Sequence, residues 1–141
     1  MRIMAIDYGD AHTGIAISDP TGLLAGFTTV INAYRPDRVT GQIALLAKEH
    51  RVERLVLGHP INMDGTRGPR SEKAQAMRQL LEETTGLTVV LWDERRTTID
   101  AHQILMNSGK NAKKRKKVVD AVAASLILEG YLTYLKTHPE G

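Results

Sequence analysis

The spacing of apolar residues changes along this chain, and each change marks a switch of element. Ile3, Met4, Ala5 and Ile6 form a continuous apolar run of strand length, closed by the turn-forming residues Asp7, Tyr8, Gly9 and Asp10, so Asp7 is expected at a strand's carboxyl end. A second run, Gly14 to Ile17, follows at once and closes on Ser18, Asp19 and Pro20, which predicts a hairpin. Ala25 to Ile31 is rich in β-branched and aromatic residues and predicts a third strand, completing an antiparallel meander. After Pro36 the period lengthens: Val39, Ile43, Leu46 and Ala47 fall at helical spacing, with the proline suited to a first turn. Leu55 to Leu57 returns to a short buried strand, broken by Gly58, His59 and Pro60, and Ile61 to Arg70 reads as a loop.

Beyond that loop a helix over Ser71–Thr85 stops at Gly86, and Leu87 to Trp92 gives another continuous strand that ends on Asp93 and Glu94. Thr97 or Thr98 caps a short helix through Met106, Lys110 to Lys117 reads as a basic loop, and Val118 to Leu135 as the last helix. Continuous rather than alternating apolar strands imply a sheet covered on both faces, with parallel pairing once helices intervene. The fold class is therefore α/β.

At 141 residues the chain is expected to form a single domain over 1–141, with any site built on one sheet rather than between lobes. The absence of cysteine excludes thiolate metal sites and a cysteine nucleophile, and fits a reducing cytoplasm. No membrane-length apolar run appears, so no membrane partner is expected. The formal charge of +3 is misleading, because six of the 19 basic residues lie in Lys110–Lys117, a stretch without an acid. The other 13 face 16 acids, a balance of −3, so attraction to a polyanion is local to that stretch.

Asp7 and the Asp93–Glu94 pair both lie where apolar strands end, and in a sheet with parallel neighbours those ends gather on one rim. Asp120 shares a helical face with Ala123, Ala124, Ile127 and Tyr131, where a carboxylate is costly without a partner. Each acid also has a plain structural reading: Asp7 capping its own turn, Asp120 pairing with Lys116 or Lys117. As a set, three or four carboxylates without cysteine or a histidine pair favour Mg²⁺ or Mn²⁺ over zinc. Two such ions about 3.5–4 Å apart suit in-line attack on a phosphodiester, with Lys113, Lys114, Arg115, Lys116 and Lys117 supplying phosphate contacts. Arg95 and Arg96 either bind phosphate or pair with Asp93 and Glu94, and His12 and His59 are loop histidines that touch phosphate or are simply solvated. Trp92 reads as core, and Asp10, Asp19 and Asp64 as turn formers.

Four stretches in order carry a resemblance: Asp7-Tyr8-Gly9 through Gly14-Ile15-Ala16-Ile17-Ser18-Asp19; Gly58-His59-Pro60 with Asn62-Met63-Asp64-Gly65-Thr66; Asp93-Glu94-Arg95-Arg96-Thr97-Thr98; and Lys117-Val118-Val119-Asp120-Ala121-Val122-Ala123-Ala124. Together they resemble the YqgF-type Holliday-junction-resolvase-like family of the ribonuclease H-like superfamily, also described as pre-16S rRNA nucleases. The resemblance implies a five-stranded mixed sheet with strands one to three antiparallel, flanked by helices. It also implies metal-dependent hydrolysis of nucleic acid, with acids matching Asp7, Glu94 and Asp120 and Asp93 as a further candidate ligand. The implied partner is precursor rRNA, in ribosome biogenesis, or branched DNA, bound by a monomer or a homodimer. The chain departs from the family where Ala11-His12 replaces a common Lys-Arg pair and where His59 stands in a turn that is usually Gly-Leu-Pro. Two other readings remain: a sugar-kinase-like phosphate loop, which needs a second lobe, and a nucleic-acid-binding module with structural acids.

Overall fold

The computed structural model describes residues 1–19, 25–60, 68–93 and 112–138, with the side chains of residues 25 and 112–121 not among them. Five strands, β1 (Ile3–Asp7), β2 (His12–Ser18), β3 (Ala25–Asn32), β4 (Arg54–His59) and β5 (Thr88–Asp93), form one sheet in the order β3-β2-β1-β4-β5. β1 pairs antiparallel with β2, and β2 with β3, whereas β1, β4 and β5 run parallel. The change of sense falls where helices enter: α1 (Pro36–Glu49) leads from β3 to β4, α2 (Pro69–Thr85) leads from β4 to β5, and α3 (Ala112–Thr137) is the last helix described. The expected short helix through Met106 and residues 61–67 of the expected loop over Ile61–Arg70 lie outside the described residues, and the end of that loop is corrected, because Pro69 and Arg70 already belong to α2.

Alternation along the strands divides the core in two. Met4, Ile6, Ile15, Ile17, Leu55 and Leu57 pack under Val39, Ile43 and Ala47 of α1 and Ala74, Met77 and Leu81 of α2. On the opposite face Ile3, Ala5, Ala16, Val56 and Trp92 meet Ala124, Ile127, Leu128, Tyr131 and Leu132 of α3. Fully burying one such aliphatic side chain stabilises by about 1.5–3 kcal/mol, so both faces contribute heavily. Trp92 belongs to this core, as expected.

The helix ends follow local chemistry. Pro36 and Pro69 occupy the first turns of α1 and α2, where a missing N–H costs nothing. Gly86 closes α2 at φ 71, a left-handed conformation that glycine adopts freely. The structure corrects two expectations. The helix over Ala112–Thr137 begins six residues before the expected Val118, taking in Lys113–Lys117. Alanine, lysine and arginine are strong helix formers, and each like-charge pair opposes them by only about 0.2–0.5 kcal/mol. β4 also runs through Gly58 and His59 instead of stopping at Leu57, because β5 extends as far and the ladder pairs Gly58 with Trp92 and His59 with Asp93.

Candidate active site

The carboxyl ends of the three parallel strands lie on one rim. Ile6 is level with Leu57, and Gly58 and His59 are level with Trp92 and Asp93, so Asp7, His59 and Asp93 terminate adjacent strands there. The sheet separates their side chains. Ile3 and Ala5 face α3, and alternation places Asp7 on that same face. His59 faces α2, where its Nε2 shares a 2.6 Å hydrogen bond with Ser71 Oγ, and Asp93, its ladder partner, falls on that side too. Asp7 and Asp93 therefore belong to opposite faces of one rim.

α3 crosses the face that Asp7 occupies. Near its carboxyl end it meets β4 and β5: Trp92 stands edge-on to Tyr131 and Tyr134 at 6.0 and 5.9 Å, and Arg54 Nη1 donates to the Tyr131 hydroxyl at 2.8 Å. α3 also covers β1, β2 and β3. β3 lies three strand spacings from β4, about 14 Å. Only six residues, about 9 Å, remain between Tyr131 and the end of α3 at Thr137. The part of α3 before Gly130 must therefore make the contacts with β3. Asp120 is helical and three turns before Tyr131, in that part. Its side chain, and Glu94, Arg95 and Arg96, lie outside the described residues, as do the side chains of Lys113–Lys117.

On the α2 side the polar groups are closed upon one another. His59 is 6% exposed, so the expected solvated loop histidine is instead a buried strand residue. Ser71 Oγ, to which Gln75 Nε2 also donates at 3.3 Å, makes this tolerable by satisfying the imidazole Nε2. Asp10 does sit in the turn, and takes Lys73 Nζ at 3.3 Å across to α2. His12 begins β2 with its Nδ1 2.6 Å from Asn32 Oδ1. Gly9 is required here, because a Cβ would stand 2.4 Å from the His12 carbonyl oxygen. The turn after Asp7 is thus too tight for a side chain at that position. Among the described residues no three His, Asp or Glu side chains are grouped to hold a metal ion.

The strands and α2 also form an open cavity of about 370 Å³, walled by Tyr8, Tyr34, Met77 and Leu80 with Asp10 and Lys73 at its mouth. Burial raises the Tyr8 phenol pKa, with Lys73 opposing the shift and Asp10 adding to it, so Tyr8 stays protonated at neutral pH. Sequence reasoning passes over Tyr34, Lys73 and Ser71. Nothing local distinguishes them, since only the packing of α2 beside the β1–β2 turn brings them to the rim.

A mixed sheet in this order, with an acid ending its central strand and a long helix across that acid's face, is the ribonuclease H-like arrangement of nucleases and resolvases. Solved structures share the fold: "T. thermophilus RuvC in complex with Holliday junction substrate" aligns at a TM-score of 0.64 with 16% identity over 97% of each chain. A Fowlpox virus resolvase in complex with Holliday junction DNA aligns at 0.53 with 11% identity over 98% of this chain and 99% of that one. The family model RuvX, described as Holliday junction resolvase, matches residues 1–134, and the chain belongs to that family. A relative from Halothermothrix orenii is 43% identical over 134 residues, covering 95% of this chain and 96% of its own. One from Bacillus subtilis is 43% identical over 137 residues, covering 96% and 99%. Both bear the name "Putative pre-16S rRNA nuclease".

Proposed function

We propose that this chain is a cytoplasmic, divalent-metal-dependent nuclease that hydrolyses phosphodiesters of structured RNA, trimming the 5′ end of the 16S rRNA precursor. Relatives at 43% identity, covering 96% and 99% of their own length, are named as nucleases of pre-16S rRNA. The observation that carries the chemistry is Asp7, at the carboxyl end of the central strand and on the face covered by α3. Asp7, Glu94 and Asp120 would hold Mg²⁺ or Mn²⁺. The donor chemistry fits: the chain has no cysteine, and the three proposed ligands offer the hard carboxylate oxygens that these ions take. Bound there, the metal supplies charge neutralisation at the phosphate and an activated water. Glu94 is preferred over Asp93 because Asp93 ends β5 on the α2 side, opposite Asp7.

The chain's own part is to position the substrate. Lys113, Lys114, Arg115, Lys116 and Lys117 precede Asp120 on one helix and attract the phosphate backbone toward it. Arg95, Arg96 and His12 contribute further phosphate contacts. A four-way DNA junction is the second reading, favoured by the description of the matching family. That substrate calls for a two-fold dimer, whereas an rRNA end is served by a monomer.

The test is a cleavage panel of precursor 16S rRNA, four-way junction and plain duplex with Mg²⁺ or Mn²⁺. Precursor cleavage that falls by about 100-fold or more in Asp7→Asn is expected. Preferential cleavage of the junction selects the second reading. Binding without metal-dependent cleavage makes the chain a binding module and overturns both.

A further inference from the structure

We propose that the cavity between Tyr8 and Tyr34 binds an unpaired nucleobase of the substrate. Part of the argument is location. Tyr8 follows Asp7 directly, and alternation turns its ring to the α2 face, where it packs against the aliphatic core. A strand whose phosphate lies at Asp7 therefore reaches the cavity by crossing the rim. A shallow depression marks that route, lined by Gly9, Gly58 and Pro60 and flanked by Arg70 and Lys73. It shares Tyr8, Asp10 and Lys73 with the cavity, so the two adjoin.

The other part is chemistry. A volume of about 370 Å³ lies in the range of small-ligand pockets. Its floor is apolar, with Met77 at 2% exposure, and its outer wall, Tyr34, is 79% exposed. Neither tyrosine ring packs on another described aromatic, in contrast with Trp92, Tyr131, Tyr134 and His138, which meet one another edge-on or stacked. Two unstacked phenol rings around an apolar floor, with cations on the approach, match what single-stranded nucleic acid requires: a flat surface for the base and positive charge for the backbone. A base held in a duplex cannot enter, so the cavity selects substrates with an unpaired nucleotide beside the cut.

This inference rests on the nuclease reading for its substrate, yet its test needs no cleavage. A short single-stranded RNA carrying 2-aminopurine is titrated against the full chain in EDTA, with a blunt duplex of the same length as control. Wild-type protein should quench the fluorescent base. Tyr34→Ala and Ala76→Glu, both at exposed positions on the cavity wall, should abolish the quench and weaken single-strand binding by roughly 5- to 150-fold, the range expected for one stacked base. Tyr34→Phe should restore both, and duplex affinity should stay unchanged. Equal losses for single strand and duplex, or a quench that persists in both variants, would overturn the proposal. If the wild type cleaves nothing but quenches as stated, the nuclease reading fails and the base site stands.

Discussion

The two faces of the sheet solve the packing problem differently. Toward α1 and α2 the strands present Met4, Ile6, Ile15, Ile17, Leu55 and Leu57, a thick aliphatic layer that two short helices share. Toward α3 they present Ala5, Ala16 and Val56, with Trp92 at the side. Small residues let the single helix approach closely, and Gly130 extends this, since a Cβ there would come within 3.1 Å of Trp92 Cζ2. Aromatic contacts concentrated near its carboxyl end thus hold α3, and its amino-terminal turns carry Lys113–Lys117 and Asp120. The same division holds at the rim: the α2 side pairs its polar groups internally, and the α3 side holds the acid assigned to chemistry.

If the aromatic contacts anchor α3, the largest effect comes from removing them. Trp92→Ala should cost about 3–5 kcal/mol in denaturant unfolding. Gly130→Ala should also destabilise, despite a helix-propensity gain of about 1 kcal/mol, because Trp92 is held by Tyr131 and Tyr134 and cannot yield. A more stable Gly130→Ala protein would mean that the contact is loose. Next in size is the basic end of α3. Neutralising Lys113, Lys114, Arg115 and Lys116 together should flatten the log–log salt dependence of RNA binding by about three units, with sequence preference unchanged. An unchanged slope would place the phosphate contacts elsewhere.

The smallest effect concerns the buried pair on the α2 side. Ser71→Ala removes the hydroxyl hydrogen-bonded to His59 Nε2 and should cost about 1–3 kcal/mol. Adding His59→Leu should recover most of that loss, because replacing both partners by apolar groups is nearly neutral. A double variant no more stable than Ser71→Ala would show that His59 has a role beyond this bond.

Much of this fold was legible because its strands are short, continuous and apolar. Ile3–Ile6, Leu55–Leu57 and Leu87–Trp92 announced a sheet covered twice, and Gly86 and Pro36 marked helix ends that the structure retains. The start of α3 is not legible in the sequence, because a dense run of like charges masks the helix propensity of lysine and arginine. His59 was misread because a Gly-x-Pro triplet looks like a turn, whereas pairing with Asp93 across the ladder and with Ser71 on α2 are long-range facts. The acids could be nominated from strand ends and helix phase, but no local pattern reveals which face of the rim each occupies. The cavity at Tyr8 and Tyr34 was invisible for the same reason.

The metal is proposed to be held by Asp7, Glu94 and Asp120 and not by Asp93, which ends β5 on the side of the sheet opposite Asp7. Calorimetric titration of Mn²⁺ into the protein bound to a cleavage-resistant phosphorothioate RNA tests it, comparing Asp7→Asn, Glu94→Gln, Asp120→Asn and Asp93→Asn. The first three should each weaken Mn²⁺ binding by at least about tenfold, as loss of a ligand does at least as much as loss of an outer-shell partner. Asp93→Asn should bind like the wild type. Loss of binding in Asp93→Asn, with Glu94→Gln or Asp120→Asn unaffected, would contradict the account.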